Sequence, residues 1–443
     1  MRIIRGLAEA KAFVAARGNL LTQDVPEHLA QAVARTSQEL FGVPYTVPQV
    51  VARILQEVQR GGDAVLKDLM LKIDGIRLEE LEVPKSAMAQ AADALPKDLR
   101  AALELSAQRV SAFARASLPK SWHDAATGLG ERIVPLDRVG AYAPGGNAPY
   151  PSTVIMTACV AKAAGVREVI VCTPARDGVN ASPVVLGAAH IAGADRVFRI
   201  GGAQGIAAMA YGTESVPRVD KICGPGNIFV AMAKQQLFGQ VGIDGVFGPT
   251  ETVVIADDAA DPVLCAADLL GQAEHDNLAT PVLVTTSEAV LRATEREVER
   301  QLPALLKKDI AATALNGQGA LILVSSLDEA MEAANLIAPE HMCLNVRDPW
   351  RWAEKVRNAG GLFLGAHSAE VMGDYIAGPS HTLPTHGTAR FASYLGADQF
   401  VKRIPVVALS PEDARRLAPA AAIIGHAEGF TGHAHSAELR AKG

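Results

Sequence analysis

The chain has 443 residues, 49% apolar and 20% charged, with 39 Gly and 25 Pro. That balance excludes wholesale disorder and collagen-like structure, and the length points to two or more domains. Forty-two Lys and Arg stand against 48 Asp and Glu, a formal charge of −6 with no dense basic cluster, which argues against a nucleic-acid partner.

No run approaches the roughly 20 apolar residues of a membrane span. Glu9 interrupts the start before a signal-peptide core can form, so the chain reads as soluble and cytoplasmic. Residues 1 to about 125 read as helices; in 47–71, for instance, Val50, Val51, Ile54 and Val58 recur at helical spacing. From Arg132 short β-rich runs alternate with Ala-rich helices, the pattern of parallel α/β architecture.

A first block predicts helix 152–164, strand 168–172, helix 183–192, strand 196–200, helix 206–211, strand 219–222 and helix 228–237. A second predicts strand 252–256, helix 262–275, strand 282–285, helix 288–301, strand 320–324, helix 327–337 and strand 361–364. Asp261-Pro262, Ser326-x-x-Glu329 and Ser410-Pro411-x-Asp413 mark helix starts. The last ~50 residues read as a helical tail too short to stand alone, packed on another domain or another subunit.

Three glycine-rich turns punctuate the first block: Pro144-Gly145-Gly146-Asn147, Gly201-Gly202-Ala203-Gln204-Gly205 and Gly224-Pro225-Gly226-Asn227. The second and third follow a strand and open a helix, where backbone N–H groups can hold an anion, although steep chain reversal alone also accounts for such glycines. None matches G-x-G-x-x-G, and no acidic residue stands at the usual ribose-binding distance.

Five cysteines (Cys159, Cys172, Cys223, Cys265, Cys343) lack C-x-x-C spacing and read as buried thiols, not a disulfide framework or a thiolate zinc site. Eight of eleven histidines lie beyond residue 270, which directs any metal or acid/base site there. On helix 262–275, Asp268, Gln272 and His275 fall within an arc of roughly 60°. Gln272 and His275 can reach one ion from one face, or can simply be solvated at a helix end.

Asp374, His381, Glu428 and His433 each sit beside glycines, where ligands from separate elements could converge and where ordinary surface turns are also common. Pro339 ends the preceding helix at Ala338 and sends Glu340-His341 into an apolar run. Neighbouring side chains there should diverge, one taking a proton while the other serves a second step, unless both are plain loop residues.

The most specific segments are Val139-Gly140-Ala141-Tyr142-Ala143-Pro144-Gly145-Gly146, Gly201-Gly202-Ala203-Gln204 and Lys221-Ile222-Cys223-Gly224-Pro225-Gly226-Asn227. With them stand Gln272-Ala273-Glu274-His275-Asp276, Ala338-Pro339-Glu340-His341, and Gly373-Asp374-Tyr375 followed by His381-Thr382-Leu383-Pro384-Thr385. In this order the set resembles the histidinol dehydrogenase family over essentially the whole chain.

The resemblance implies a cytoplasmic, NAD-dependent homodimer with one Zn2+ per subunit, oxidising L-histidinol through the aldehyde to L-histidine with two NAD in turn. It implies zinc ligands Gln272, His275, Asp374 and His433, a general base at His341 and a water-activating Glu340. Tyr142, Gln204 and Asn227 match coenzyme-contacting positions. Thr250, His381 and Glu428 match substrate-contacting ones, joined by His341 and the four metal ligands.

The implied fold is α/β, two Rossmann-like parallel-sheet domains with helical N-terminal and C-terminal extensions. The implied boundaries are an arm at 1–35, a first domain from 36–141 plus 250–395, an inserted domain at 142–249, and a tail at 396–443 exchanged across the dimer so that Glu428 and His433 complete the partner's site. One position departs: the family commonly has serine where this chain has Thr250. A related dehydrogenase of another small alcohol, such as a sulfopropanediol, is the alternative, although Glu251 and Asp276 look like the biosynthetic branch. A zinc hydrolase and a non-catalytic nucleotide-binding regulator are the other readings.

Overall fold

The computed structural model describes residues 1–16, 27–145, 148–175 and 180–442, so Gly146 and Asn147 of the first glycine turn and 17–26 of the N-terminal arm lie outside the described residues. The chain divides into two compact units, Met1–Ser117 with Leu136–Phe400, and Leu118–Pro135 with Val401–Gly443.

The first unit holds two six-stranded sheets. Sheet I runs, in spatial order, Glu82–Val83, Arg196–Phe198, Glu168–Cys172, Arg138–Tyr142, Lys221–Cys223, Gly242–Ile243, parallel except for its first strand. Sheet II runs Arg2–Arg5, Ala320–Leu323, Thr280–Thr285, Glu251–Ala256, His341–Asn345, Gly361–Leu364, parallel throughout.

Without the added edge strands, both sheets share one connectivity. Three successive strands step outward in one direction, and the fourth returns to pair beside the first. That is the Rossmann-like order, with its switch point between the first and fourth strands. Strands such as Thr280–Thr285 are buried along their whole length because helices cover both faces, hence continuous apolar runs in place of alternation.

Helix starts follow the sequence signals. Asp261 Oδ1 accepts from the Val263 N–H at 2.8 Å, Ser326 Oγ from Glu329 at 3.2 Å, and Ser410 Oγ from Asp413 at 3.1 Å. All five cysteines are free and buried, and among the described residues no helix is long and apolar enough to cross a membrane.

Four details differ from the sequence reading. The N-terminal extension is not purely helical, because Arg2–Arg5 forms an edge strand of sheet II. The helix beginning at Val47 ends at Leu69 and continues as a π-turn, Met70–Asp74. Its Val50, Val51, Ile54 and Val58 share a core with Phe198, Ile206 and Met209, so residues grouped by sequence with 250–395 pack against sheet I instead.

Finally, the tail is not all helix. Val401–Val407 is a strand, antiparallel to Leu129–Pro135, in the second unit's three-stranded sheet. Its Pro405 is tolerated because this strand lies at the sheet edge. Helices Pro411–Ala427 and Thr431–Lys442 follow, with Gly425 closely apposed to Ala434.

Candidate active site

A cavity of about 860 Å³ in the first unit is lined by the turns at 201–204 and 225–227, by Tyr142, Thr250 and His275, and by Glu340, His341, Asp374 and His381. The glycine turns follow strands of sheet I and come from its carboxyl edge. Thr250 and His341 come from the opposite, amino edge of sheet II, where Thr252 pairs in register with His341.

On the sheet I side, Tyr142 ends its strand at the switch point, and its hydroxyl accepts from the Gly202 N–H at 3.0 Å. Burial pushes that phenol up to about 12, so it stays neutral and can donate to a ligand. Gln204 is buried and donates to Asp74 at 3.1 Å. Asn227 caps the helix Ile228–Leu237, its Oδ1 accepting from Phe229 and Val230; its side-chain amide group is the part left for a ligand.

On the sheet II side the helix Leu327–Ile337 stops at Ala338, which adopts a left-handed φ of 52°, and Pro339 redirects the chain. The expected divergence of Glu340 and His341 does not occur: Glu340 precedes the strand that His341 begins, and its Oε2 lies 3.8 Å from His341 Nδ1. Glu340 Oε2 also accepts from the Glu251 N–H at 3.2 Å and from the Thr250 hydroxyl, which in turn accepts from Gln272 Nε2. Burial pushes the Glu340 carboxyl up to about 7.

His341 donates through Nδ1 to the Glu251 carbonyl at 3.2 Å and meets Asp374 Oδ1 with Nε2 at 3.3 Å. Burial opposes its charge, but Glu340, Asp374 and Glu370 outweigh that and hold the imidazolium up to about 10. Burial would raise the Asp374 carboxyl as well; the bond to His341 and the nearby His341, His381 and His275 rings take it below the usual range.

Burial pushes His381 and His275 towards the neutral form. His381 Nδ1 donates to the Asp374 carbonyl at 2.9 Å, which leaves Nε2 to accept from Thr153 at 3.3 Å, so this ring fixes the Asp374 turn as well as facing the cavity.

Gln272 Oε1, at the end of the helix Pro262–Ala273, is buried and has no hydrogen-bond partner among the described residues. Asp268, grouped with it by periodicity, bears instead on Asn345 and Cys265 and stays outside the cavity lining. Glu428 and His433 belong to the second unit. Both are exposed, Glu428 as the C-cap of Pro411–Ala427 and His433 with its ring 5.5 Å from that of Phe430.

Among the described residues no three His, Cys, Asp or Glu side chains gather into a cation site. Of the expected ligands the first unit supplies one imidazole, one carboxylate and the Gln272 amide. Sequence reasoning missed Glu370, a fully buried carboxyl that burial pushes up to about 8 behind His341 and Asp374. It also missed Lys234 and Asp244, a buried ion pair beneath the 224–227 turn. A lysine directly following the apolar run 228–233 was the available signal.

The arrangement therefore brings together two acid/base groups, an unpartnered oxygen donor and two helix N-termini with glycine turns. A sequence model of the histidinol dehydrogenase family matches residues 43–441. The chain is 51% identical over 409 residues to histidinol dehydrogenase of Thermus thermophilus, covering 92% of this chain and 98% of that protein. It is 46% identical over 446 residues to the Deinococcus radiodurans enzyme of that name, covering 100% of each.

A crystal structure of histidinol dehydrogenase from Elizabethkingia anophelis aligns with a TM-score of 0.90 at 32% identity, covering 100% of this chain and 98% of that one. An acid/base pair set opposite coenzyme-type turns is what an alcohol oxidation needs, and with these likenesses it follows that the chain belongs to the histidinol dehydrogenase family, oxidoreductases of histidine biosynthesis.

Proposed function

We propose that this chain oxidises L-histidinol to L-histidine in two steps, each delivering a hydride to NAD, as a cytoplasmic, zinc-containing homodimer. The carrying observation is that Glu340 and His341 share the cavity with Thr250, Asp374 and the glycine turns. NAD would lie with its pyrophosphate towards the 201–204 and 224–227 turns and meet Tyr142, Gln204 and Asn227.

In the first oxidation His341 acts as base only in its neutral form, with Nε2 released from Asp374 once that carboxylate is engaged by a metal ion. The alcohol carbon then gives a hydride to NAD while its hydroxyl proton goes to His341 Nε2. The Glu251 carbonyl occupies Nδ1 and so sets Nε2 as the exchanging nitrogen. The aldehyde cannot give up a second hydride until water adds. Glu340 takes that water's proton, and a carboxyl near 7 is balanced for the task at neutral pH. The hydrate then passes its hydride to a second NAD, leaving the carboxylate.

The donor set fits zinc. The buried, unpartnered Gln272 Oε1, a His275 imidazole pushed towards neutrality and a charged Asp374 carboxylate are nitrogen and oxygen donors of the kind that ion takes. Gln272, His275 and Asp374 would hold it with His433 of a second copy, whose Glu428 would also meet substrate. Bound there, the ion would supply positive charge that orients the substrate's amine and imidazole beside His341.

The test is stoichiometry. With histidinol, NAD and zinc the reduced-nicotinamide absorbance should report two NAD reduced for each histidinol consumed. One per alcohol, or none, would overturn the two-step reading.

A further inference from the structure

Lys234 and Asp244 are each 1% exposed at the side chain and form an ion pair, Nζ to Oδ1. The pair grips both polar backbone groups of one residue: Lys234 Nζ donates to the Gly224 carbonyl at 3.0 Å, and Asp244 Oδ2 accepts from the Gly224 N–H at 2.7 Å. Gly224 sits at φ +109°, and a Cβ there would come within 2.2 Å of the Tyr142 carbonyl oxygen, so the turn presses directly on the switch-point strand.

The pair also reaches forward along the chain. Asp244 Oδ1 accepts from the Gly245 N–H at 2.9 Å, and Lys234 Nζ stands 4.6 Å from the centre of the Phe247 ring. Asn227 and Phe247 both line the cavity, and Phe247 is three residues from Thr250. Two charges withdrawn from water are an inefficient way to stabilise a core, which apolar side chains of similar volume fill as well. What such a pair does provide is fixed direction, because hydrogen bonds to Gly224 have a defined geometry.

We propose that Lys234 and Asp244 are positioning residues, a buried strut that sets the height of the 224–227 turn against Tyr142 and so prepares the coenzyme side of the cavity. The proposal rests on the NAD reading above. A strut of this kind acts on coenzyme affinity and leaves the alcohol's contacts at Gln272, His341 and Asp374 untouched.

Lys234→Met alone would strand a buried carboxylate and Asp244→Asn alone a buried ammonium. The deciding variant is therefore the neutral pair Lys234→Met with Asp244→Asn, and Asp244→Asn alone serves as a second variant once shown to fold. In the double variant KM for NAD, and Kd for NAD by calorimetry, should rise at least about ten-fold, the scale of one lost charge-assisted hydrogen bond. KM for histidinol should stay within about two-fold. Asp244→Asn alone should move NAD affinity the same way by about three-fold.

A purely structural pair predicts a lower melting temperature with the two KM values unchanged or shifted together. Either variant, folded by circular dichroism, with NAD affinity within two-fold of the unaltered enzyme overturns the strut. Failure of the unaltered enzyme to bind or reduce NAD would instead overturn the coenzyme reading, and the strut with it.

Discussion

Replacing Thr250 with valine keeps shape and volume and removes one hydroxyl, which donates to Glu340 and accepts from Gln272 Nε2. Glu340 Oε2 then keeps the Glu251 N–H at 3.2 Å. A hydrogen bond to a charged group contributes roughly 1.5–3 kcal/mol, and about 1.4 kcal/mol corresponds to one pKa unit. The Glu340 carboxyl, at about 7 in this chain, should therefore move to roughly 8–9 in the variant.

A base works only above its pKa, so at pH 7 its ionised fraction falls from about a half to between roughly a tenth and a hundredth. Hydration of the aldehyde, and with it the second hydride transfer, should slow roughly 5- to 50-fold, while the first keeps its rate. Stopped-flow single turnovers resolve this as two phases of NAD reduction, with aldehyde trapped between them. Raising the pH to about 9.5 should restore the second phase. Thr250→Ser should behave as the parent, and zinc content measured alongside separates any effect through Gln272. Equal slowing of both phases, or no recovery at high pH, would refute the assignment of Glu340 to the second step.

Asp268 offers a stability counterpart. Burial holds its carboxyl at about 6 against an ordinary 3.8, so the folded chain favours the protonated form. Stability from this group is full below the unfolded pKa and is lost as pH rises through about 6. Asp268→Asn should match the parent at pH 4 and gain up to about 3 kcal/mol at pH 8 in urea unfolding; an equal effect at both pH values would contradict this.

His341→Ala should abolish turnover with zinc retained, and His433→Ala should weaken zinc binding. Mixed dimers of the two should regain activity, because one site is then intact; mixtures no better than either parent would exclude a shared site.

Much of both sheets was readable because strands covered by helices on both faces are written as unbroken Val and Ile runs, and because caps such as Asp261-Pro262 act within one turn. The edge strands Arg2–Arg5 and Val401–Val407 were not: one is four residues long, and the other carries a proline that only its edge position excuses. Pro339 correctly marked a break before Glu340, yet the left-handed Ala338 and the register of Thr252 with His341, which bring Glu340 onto Thr250, depend on partners about ninety residues away. Glu370 left no local trace, since a carboxylate opening a short helix looks like any cap until its burial is known.

The opposed edges of the two sheets have an electrical consequence. Helices Gly202–Tyr211 and Ile228–Leu237 begin at the cavity, whereas Pro262–Ala273 and Leu327–Ile337 finish there. Their peptide dipoles therefore leave a partial positive pole on one wall and a partial negative pole on the other. An anionic diphosphate and a cationic amine entering together would each find the wall that suits its sign, so the backbone sorts the two ligands before any side chain touches them.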